Sequence, residues 1–176
     1  MNYLLDTNAC IALINGTPPS VRAKFQKATD KGAKVFVSSI AAFELWYGVA
    51  KSSRQDFNRK RLEAFFAGPL HPLPFANEDA EIAGPIRAEL EAIGKPIGAY
   101  DVLIAGQAIR NKLTLITANL SEFARIKHWP GQTGENRSLR RGDPEAGQAA
   151  GLLKEWSGRN DLNHRPPGPE PESRKF

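Results

Sequence analysis

The chain has 176 residues, a formal charge of +5 and a single cysteine. That length allows one domain with a packed core, or one domain followed by an extension. One cysteine excludes an intrachain disulfide framework and a thiolate zinc site. No apolar run approaches the length of a membrane span, and no basic region precedes the first apolar run. We therefore expect a cytoplasmic protein without a membrane segment, whose positive charge favours anionic partners.

The first half of the chain predicts two strands, each followed by helices. A short apolar run predicts a strand at Asn2–Leu5, and a helix-like run begins near Asn8. The segment PPSVRAKFQKATDKG has prolines before its start and a glycine at its end, the usual punctuation of a helix. A second strand is predicted at Lys34–Ser38. The segment SSIAAFELWYGVAKS then begins with serines that can cap a helix, and RQDFNRKRLEAFFAG is amphipathic.

The second half repeats this alternation. Strands are predicted at His71–Phe75 and Thr114–Thr117, with two helical segments between them. The segment NEDAEIAGPIRAELEAIG is amphipathic, and Pro85 is expected to kink or split it. The segment AYDVLIAGQAIRNK is apolar nearly all round, which is typical of a buried helix. Strands that alternate with helices predict a short, mostly parallel central sheet in a three-layer α/β/α sandwich.

The composition changes after residue 128. Residues 129–176 are rich in glycine, proline and polar residues and have little apolar periodicity. Only AGQAAGLLKEW favours a short helix there. We therefore expect a folded domain at 1–128 and a C-terminal extension at 129–176 that is disordered or loosely packed.

An acidic residue directly follows the first predicted strand. In a parallel α/β sheet, ligands bind outside the carboxyl ends of the strands, so Asp6 is expected at such an edge. Aspartate is also a common N-cap, and Asp6 taken alone is better explained as the cap of the helix near Asn8.

Two further acids indicate that Asp6 shares a role with them. Glu44 and Asp101 lie on predicted helices, and their neighbours three and four positions away are apolar or small residues. Burying an ionised carboxylate without a partner costs several kcal/mol. An ion pair with a core Arg or Lys would offset that cost, but no basic residue lies three or four positions from either acid. A divalent cation would compensate all of the carboxylates at once.

The kind of ion follows from the ligand chemistry. Carboxylate oxygens suit Mg²⁺ or Mn²⁺, which keep several waters and commonly bridge to phosphate oxygens. His71, His128 and His164 are scattered and have no zinc-ligand spacing. The predicted chemistry is therefore metal-assisted phosphodiester hydrolysis, in which the ion lowers the pKa of a bound water and neutralises charge on the phosphate.

Four motifs together resemble the PIN-domain ribonucleases, especially the toxin subunits of bacterial VapBC-type toxin–antitoxin pairs. They are YLLDTN, SSIAAFELWYG, IGAYDVLIAG and TLITANLSEFARI, in the family's order and approximate spacing. The resemblance implies a PIN-like α/β fold and a Mg²⁺- or Mn²⁺-dependent endoribonuclease that a cognate antitoxin inhibits. It also implies that Asp6, Glu44 and Asp101 are metal ligands, with Thr7 and Asn8 supporting them.

The fourth acidic position of the family differs in this chain. Asn119 stands where many members carry aspartate. Its amide oxygen can help to place a metal-bound water but adds no negative charge, which argues against a second metal ion. Glu122 follows closely and is either the replacement carboxylate or a solvated residue at a helix start.

Candidate partner contacts follow the predicted third helix. A basic cluster predicts salt-sensitive contacts with RNA phosphates, although a solvated helix face explains the same charges. Its members are Lys51, Arg54, Arg59, Lys60 and Arg61. The resemblance also implies an apolar groove for the antitoxin, with Trp46 and Tyr47 as candidate contacts, and a homodimer.

Two other functions remain open. The chain could be a catalytically weak PIN-like module that binds RNA or antitoxin, given Asn119 and a C-terminus without the family's usual last strand. A phosphatase with Asp6 as nucleophile is a further alternative. The usual aspartyl-phosphate pattern has a second aspartate two residues on, and Asn8 at that position counts against it.

Overall fold

The computed structural model describes residues 1–17, 19–117 and 119–127. The predicted extension at 129–176 lies outside the described residues. The elements, in chain order, are β1 (Tyr3–Leu5), α1 (Thr7–Asn15), α2 (Pro19–Asp30), β2 (Val35–Ser38), α3 (Ser39–Lys51), α4 (Gln55–Phe66), β3 (His71–Leu73), α5 (Asn77–Ala92), α6 (Ala99–Arg110), β4 (Thr114–Ile116) and α7 (Leu120–Phe123).

The strands form one parallel sheet in the order β3-β2-β1-β4. Leu4 in the central strand β1 lies beside Phe36 of β2 and Leu115 of β4. Because all pairs are parallel, the carboxyl ends of the strands share one edge. Asp6 follows β1 and Thr117 follows β4, so the chain delivers both side chains to that edge.

The four predicted strands and the longer predicted helices are confirmed, with ends that shift by one or two residues. The expectation that Pro85 kinks or splits its helix is wrong in one respect, since α5 runs unbroken from Asn77 to Ala92 with Pro85 inside it. Pro85 removes the amide donor to the carbonyl of Glu81, but both residues are exposed. Water can therefore replace the lost hydrogen bond. The short α7 was predicted only as a helix start near Glu122.

Two apolar clusters fill the space around the sheet. The larger packs Leu4 and Val37 of the sheet against α1, α3 and α4, and the smaller packs α5 and α6 against Phe123. A Cβ atom on Gly106 would lie 2.9 Å from the Cβ of Ala83, so glycine permits the close approach of α6 to α5. The predicted α/β/α sandwich is confirmed.

A buried polar group fixes α6 to α5. Asp79 is fully buried and accepts hydrogen bonds from Arg110 Nη1 at 3.2 Å and from the backbone N–H of Ala76 at 2.7 Å. Gln107 Nε2 lies 3.4 Å from the same carboxylate. This network holds the helix that carries Asp101 in place. Within the described ranges, no helix is long and apolar enough to cross a membrane.

Candidate metal-binding and catalytic site

Asp6 lies at the carboxyl edge of the sheet and also caps a helix. It is the N-cap of α1, and its Oδ1 accepts a hydrogen bond of 2.6 Å from the backbone N–H of Ala9. Its own N–H donates to the carbonyl of Ile116 at 3.0 Å, which ties the residue to β4. Only 2% of Asp6 is exposed. One carboxylate oxygen therefore caps the helix, and the residue stays fixed at the carboxyl edge of the sheet.

The environment of Asp6 disfavours its charged form. Burial, together with the charges of Asp101 and Glu44, raises the pKa of Asp6 to about 7, although hydrogen bonds from the Thr117 side chain and the Ala9 amide oppose the change. Two acids that are distant in sequence are thus close enough to repel a third. The three predicted metal ligands therefore lie near one another.

Glu44 lies on α3, half-buried, where an apolar helix leaves the carboxyl end of β2. The side chain of Ser38 caps this helix by accepting from the N–H of Ile40 at 3.0 Å. The hydroxyl of Thr7 donates a short hydrogen bond to Glu44 Oε2. Since Thr7 directly follows Asp6, this bond connects α1 to α3 at the site.

Asp101 lies in the first turn of α6, where the helix dipole favours a negative charge. Burial and the charges of Glu122 and Glu44 nevertheless raise the pKa of Asp101 to about 6. The Asn119 side chain opposes this change, with its Nδ2 lying 3.5 Å from Asp101 Oδ2. Glu122 is half-buried, and its charge acts on Asp101.

No basic side chain neutralises these acids among the described residues. The ion pairs there join Arg87 to Glu91 and Arg110 to Glu78 and Asp79. In the same part of the chain, no three His, Cys, Asp or Glu side chains are already arranged to coordinate one ion. The repelling carboxylates are instead held by nearby donors. The donor set of carboxylate and amide oxygens with uncompensated charge fits a hard divalent cation in type and in sign.

The supporting residues have different surroundings. Thr7 orients Glu44, whereas the side chain of Asn8 is exposed on the next position of α1. Thr117 and Gly98 also belong to the site, and the sequence reasoning missed both. Thr117 follows a strand at the same edge as Asp6, so the rule that located Asp6 would have found it. The close contact of Gly98 with Asp101 has no signal in the sequence.

Arg61, one member of the predicted basic cluster, lies apart from Asp6. Arg61 Nη2 donates to the carbonyl of Ile14 at 2.9 Å and to Asn15 Oδ1 at 2.8 Å. It therefore binds the C-terminus of α1, while Asp6 caps the N-terminus about 13 Å away. Burial and the charges of Arg22 and Arg54 lower the pKa of Arg61.

The other basic side chains lie on aromatic rings or in solvent. Arg54 lies 4.3 Å from the ring centroid of Phe57, and Arg59 lies 5.8 Å from that of Trp46. Lys51 lies 5.2 Å from the ring centroid of Tyr47, and Lys60 is exposed. Trp46 stacks on Phe66 of α4, whereas Tyr47 stacks on Phe43, so the two predicted antitoxin contacts point to different neighbours.

Comparison with known proteins places the chain in a family. The PIN domain model matches residues 3–128. The tRNA(fMet)-specific endonuclease VapC of Salmonella typhimurium and the ribonuclease VapC2 of Rickettsia felis are each 39% identical over 126 residues, which span 72% of this chain and 92% of each relative.

Similar solved structures come from the same group of proteins as these relatives. The chain is similar to the VapBC2 complex of Rickettsia felis bound to a DNA fragment from its promoter, with a TM-score of 0.68, 38% identity, and coverage of 72% of this chain and 94% of that chain. It is also similar to DNA-bound VapBC from Salmonella typhimurium, with a TM-score of 0.66, 38% identity, and coverage of 72% and 93%. The chain therefore belongs to the PIN-domain family and, within it, to the VapC group.

Proposed function

We propose that this protein is a toxin of the VapC type, a Mg²⁺- or Mn²⁺-dependent endoribonuclease that cuts cellular RNA in the cytoplasm and is inhibited by a cognate antitoxin. One observation carries the proposal. Asp6, Glu44 and Asp101 come from separate parts of the chain to one edge of a parallel sheet, where burial and neighbouring carboxylates raise the pKa values of Asp6 and Asp101 without a basic partner among the described residues. The similarity to VapC ribonucleases and to a VapBC complex supports the same proposal.

The residues of the chain have distinct tasks in this proposal. Asp6, Glu44 and Asp101 would bind the ion through their carboxylates. A bound Mg²⁺ or Mn²⁺ supplies an activated water and neutralises charge on the scissile phosphate. Thr7 holds Glu44 in place by its hydroxyl, and Asn119 orients Asp101 by its amide. These positioning contacts fix ligands that would otherwise repel one another.

The antitoxin is expected to use an apolar groove together with the acidic pocket. A groove of about 410 Å³ lies between α1, α2 and α4, with Leu13, Ile14, Phe25, Phe65 and Leu70 in its lining. An amphipathic segment suits such a groove, and a basic side chain on it would compensate the carboxylates. The stacked pair of Trp46 and Phe66 adds a partly exposed surface on α3 and α4. A homodimer is also part of the proposal.

The experiment that tests the activity is cleavage of purified RNA. We expect the protein to cut RNA with Mg²⁺ or Mn²⁺ and to stop when the metal is chelated. Initiator tRNA is the first substrate to test, because the Salmonella typhimurium relative is named for it. Asp101→Asn is expected to reduce cleavage by at least about a hundredfold. Asp30→Asn makes the same chemical change at an exposed acid of α2 and serves as the matched control.

One observation favours a second candidate, a module that binds RNA or antitoxin but cleaves poorly. The fourth acidic position of the family is an amide in this chain, Asn119, and it donates to Asp101. The same experiment separates the two functions. If wild type and Asp101→Asn degrade RNA equally slowly under all metal conditions, the weak binding module is the better description.

A further inference from the structure

An apolar cleft of about 370 Å³ lies between α2 and the sheet. Its apolar lining comes from both sides and includes Tyr3, Leu5, Ile116, Val21 and Phe25. Ile116 belongs to β4 and Phe25 to α2, and both are only half-buried. A concave apolar surface of this size is typical of a binding site. We name it the α2 cleft.

Three ammonium groups border the α2 cleft. Lys24 and Lys27 lie on α2 and Lys31 directly follows it, and all three are exposed lining residues. Within the described ranges, none of the three belongs to an ion pair. The acid beside them, Asp30, instead accepts a hydrogen bond of 2.8 Å from Gln26. The α2 cleft therefore combines an apolar floor with uncompensated positive charge.

The outer edge of β4 adjoins the α2 cleft and has free backbone groups. Thr114 N–H donates to Asn2 O at 3.0 Å, so Thr114 faces β1. Ile116 O accepts from Asp6 N–H at 3.0 Å and faces β1 as well. Because successive strand residues direct their backbone groups to alternate sides, the N–H and C=O of Leu115 face away from β1. Among the described strands, none pairs with β4 on that side, and an open edge is a template for another strand.

The remaining sequence predicts no strand for this edge. Residues 129–176 are rich in glycine, proline and polar residues and have little apolar periodicity. They contain no run of β-branched and aromatic residues like those that predict the strands of the sheet. The sequence therefore favours an occupant that comes from another molecule.

We infer that the α2 cleft and the β4 edge together bind an extended, acidic segment of a partner protein. The segment adds a strand beside β4 through hydrogen bonds to the backbone of Leu115. Apolar side chains on one face of that strand enter the α2 cleft, and acidic side chains contact Lys24, Lys27 and Lys31. Strand addition with alternate side chains in pockets is a recurring mode of peptide recognition.

This site is separate from the groove proposed for the antitoxin. α2 contributes Arg22 and Gln26 to that groove, but Lys24 and Ala28 to the α2 cleft. The two surfaces therefore lie on different sides of α2. The inference does not depend on the proposed ribonuclease activity, because it uses none of the predicted metal ligands.

Charge and shape favour an acidic strand over other occupants. A twofold contact between two β4 edges would bring the three lysines of one copy near those of the other, in a chain that already carries a charge of +5. RNA would suit the lysines, but it brings no apolar side chain to the α2 cleft and no peptide group to Leu115. An acidic strand provides a partner for all three features.

Fluorescence anisotropy with the full chain measures the interaction. The probe is a fluorescein-labelled peptide of about seven residues that alternates glutamate with valine. We expect it to bind at least about tenfold more tightly than three matched peptides. The first has lysine in place of glutamate, the second has serine in place of valine, and the third has N-methylated valines that cannot donate backbone hydrogen bonds.

A charge exchange tests the role of the lysines. Lys27→Glu is expected to weaken binding of the glutamate peptide by about tenfold and to strengthen binding of the lysine peptide. Lys60→Glu makes the same change at an exposed residue of α4 outside the α2 cleft. This control should keep both affinities within about twofold of wild type.

Hydrogen exchange followed by NMR tests the strand pairing. Saturating glutamate peptide should slow exchange of the Leu115 amide by at least about tenfold, because that amide gains an acceptor. The amide of Thr114, which already donates to Asn2, should change much less. The N-methylated peptide should protect neither amide.

Other results would overturn the inference. If the glutamate peptide does not bind, or binds without protecting Leu115, no strand is added at β4. If Lys27→Glu weakens binding of a labelled oligouridine but not of the peptide, the lysines form an RNA site. If sedimentation shows that the peptide dissociates a dimer of the chain into monomers, a second copy occupies the β4 edge.

Discussion

The hydroxyl of Thr7, the first residue of α1, donates a hydrogen bond to Glu44 Oε2 on α3. This contact joins the residue after one predicted ligand to the side chain of another. It therefore fixes the relative position of two elements that are 37 residues apart in the chain. Without it, repulsion among the carboxylates would favour a Glu44 side chain turned toward solvent.

Removal of this hydroxyl tests its positioning role. Thr7→Val keeps the shape of the side chain but loses the donor, and we expect metal affinity to fall by about 10- to 100-fold. Thr7→Ser keeps the donor and should stay close to wild type. Isothermal titration with Mn²⁺ gives the affinity, and RNA cleavage at saturating metal should recover most of the activity of Thr7→Val. Equal Mn²⁺ affinity in the valine and serine variants would contradict this role.

The pH dependence of stability tests the burial of Asp6. Its pKa rises on folding from 3.8 to about 7, so between these values the folded state keeps a proton that the unfolded chain has released. Stability of the metal-free protein is therefore greatest at acidic pH and falls as the pH rises through 7, by up to roughly 4 kcal/mol from this group. Asp101, whose pKa is raised to about 6, adds a smaller change of the same sign.

Urea unfolding in EDTA at pH 5 and pH 8 measures this effect. Asp6→Asn keeps an oxygen for the Ala9 amide and carries no charge. We expect it to be more stable than wild type at pH 8, less sensitive to pH, and inactive on RNA. Asp30→Asn should unfold as wild type does. A variant with the full pH dependence of wild type would show that Asp6 is not the responsible group.

Gly98 leaves space for the Asp101 carboxylate. A Cβ atom on Gly98 would lie 2.9 Å from Asp101 Oδ2, while the backbone of Gly98, at φ −53° and ψ 139°, is open to any residue. Gly98→Ala is therefore expected to displace the carboxylate and to lower cleavage by about tenfold or more, with a change in stability below about 1 kcal/mol.

The matched control for this change is Gly84→Ala in α5. A Cβ atom there meets nothing within 4 Å. Alanine should stabilise the helix by up to about 1 kcal/mol and leave cleavage unchanged. Thermal unfolding and RNA cleavage of both variants provide the comparison. Full activity of Gly98→Ala would mean that Asp101 does not need its present position.

Arg61 is expected to contribute to the stability of the fold and not to RNA binding. Its guanidinium binds Ile14 O and Asn15 Oδ1 at the C-terminus of α1. Arg61→Met keeps the aliphatic stem and should lower the free energy of unfolding by about 1–3 kcal/mol. Lys60→Met, at an exposed neighbour, should change it by less than about 0.5 kcal/mol. If Arg61→Met instead weakens RNA binding at unchanged stability, the predicted RNA contact is correct.

Local pattern explains why so much of the fold was predictable. The strands were predicted because short runs such as Val35–Ser38 are rich in β-branched or aromatic residues, and the helices because of their caps and their apolar spacing. The unbroken α5 was not predicted, since the rule for Pro85 ignores whether the freed carbonyl reaches water. The buried Asp79 network depends on contacts across about 30 residues, which no local pattern contains.

The site was predictable to a different extent. Asp6 and Thr117 follow from their places after parallel strands, and Glu44 and Asp101 from acids within apolar helix faces. The hydrogen bond of Thr7 and the contact of Phe43 with Tyr100 result from packing between elements, so the sequence alone did not indicate them. The assignment of Trp46 and Tyr47 to one partner surface treated adjacent residues as a unit. On a helix they point about 100° apart, and they contact different rings.

The most direct test of the central claim is a Mn²⁺ titration of the purified protein near pH 8, followed by electron paramagnetic resonance of the free ion. We predict one saturable site per chain that is lost in Asp6→Asn and Asp101→Asn and kept in Asp30→Asn. The same binding should raise the urea midpoint of wild type and not that of the two site variants. Saturable binding that survives both site substitutions, or no binding by wild type, would contradict a cation shared by Asp6, Glu44 and Asp101.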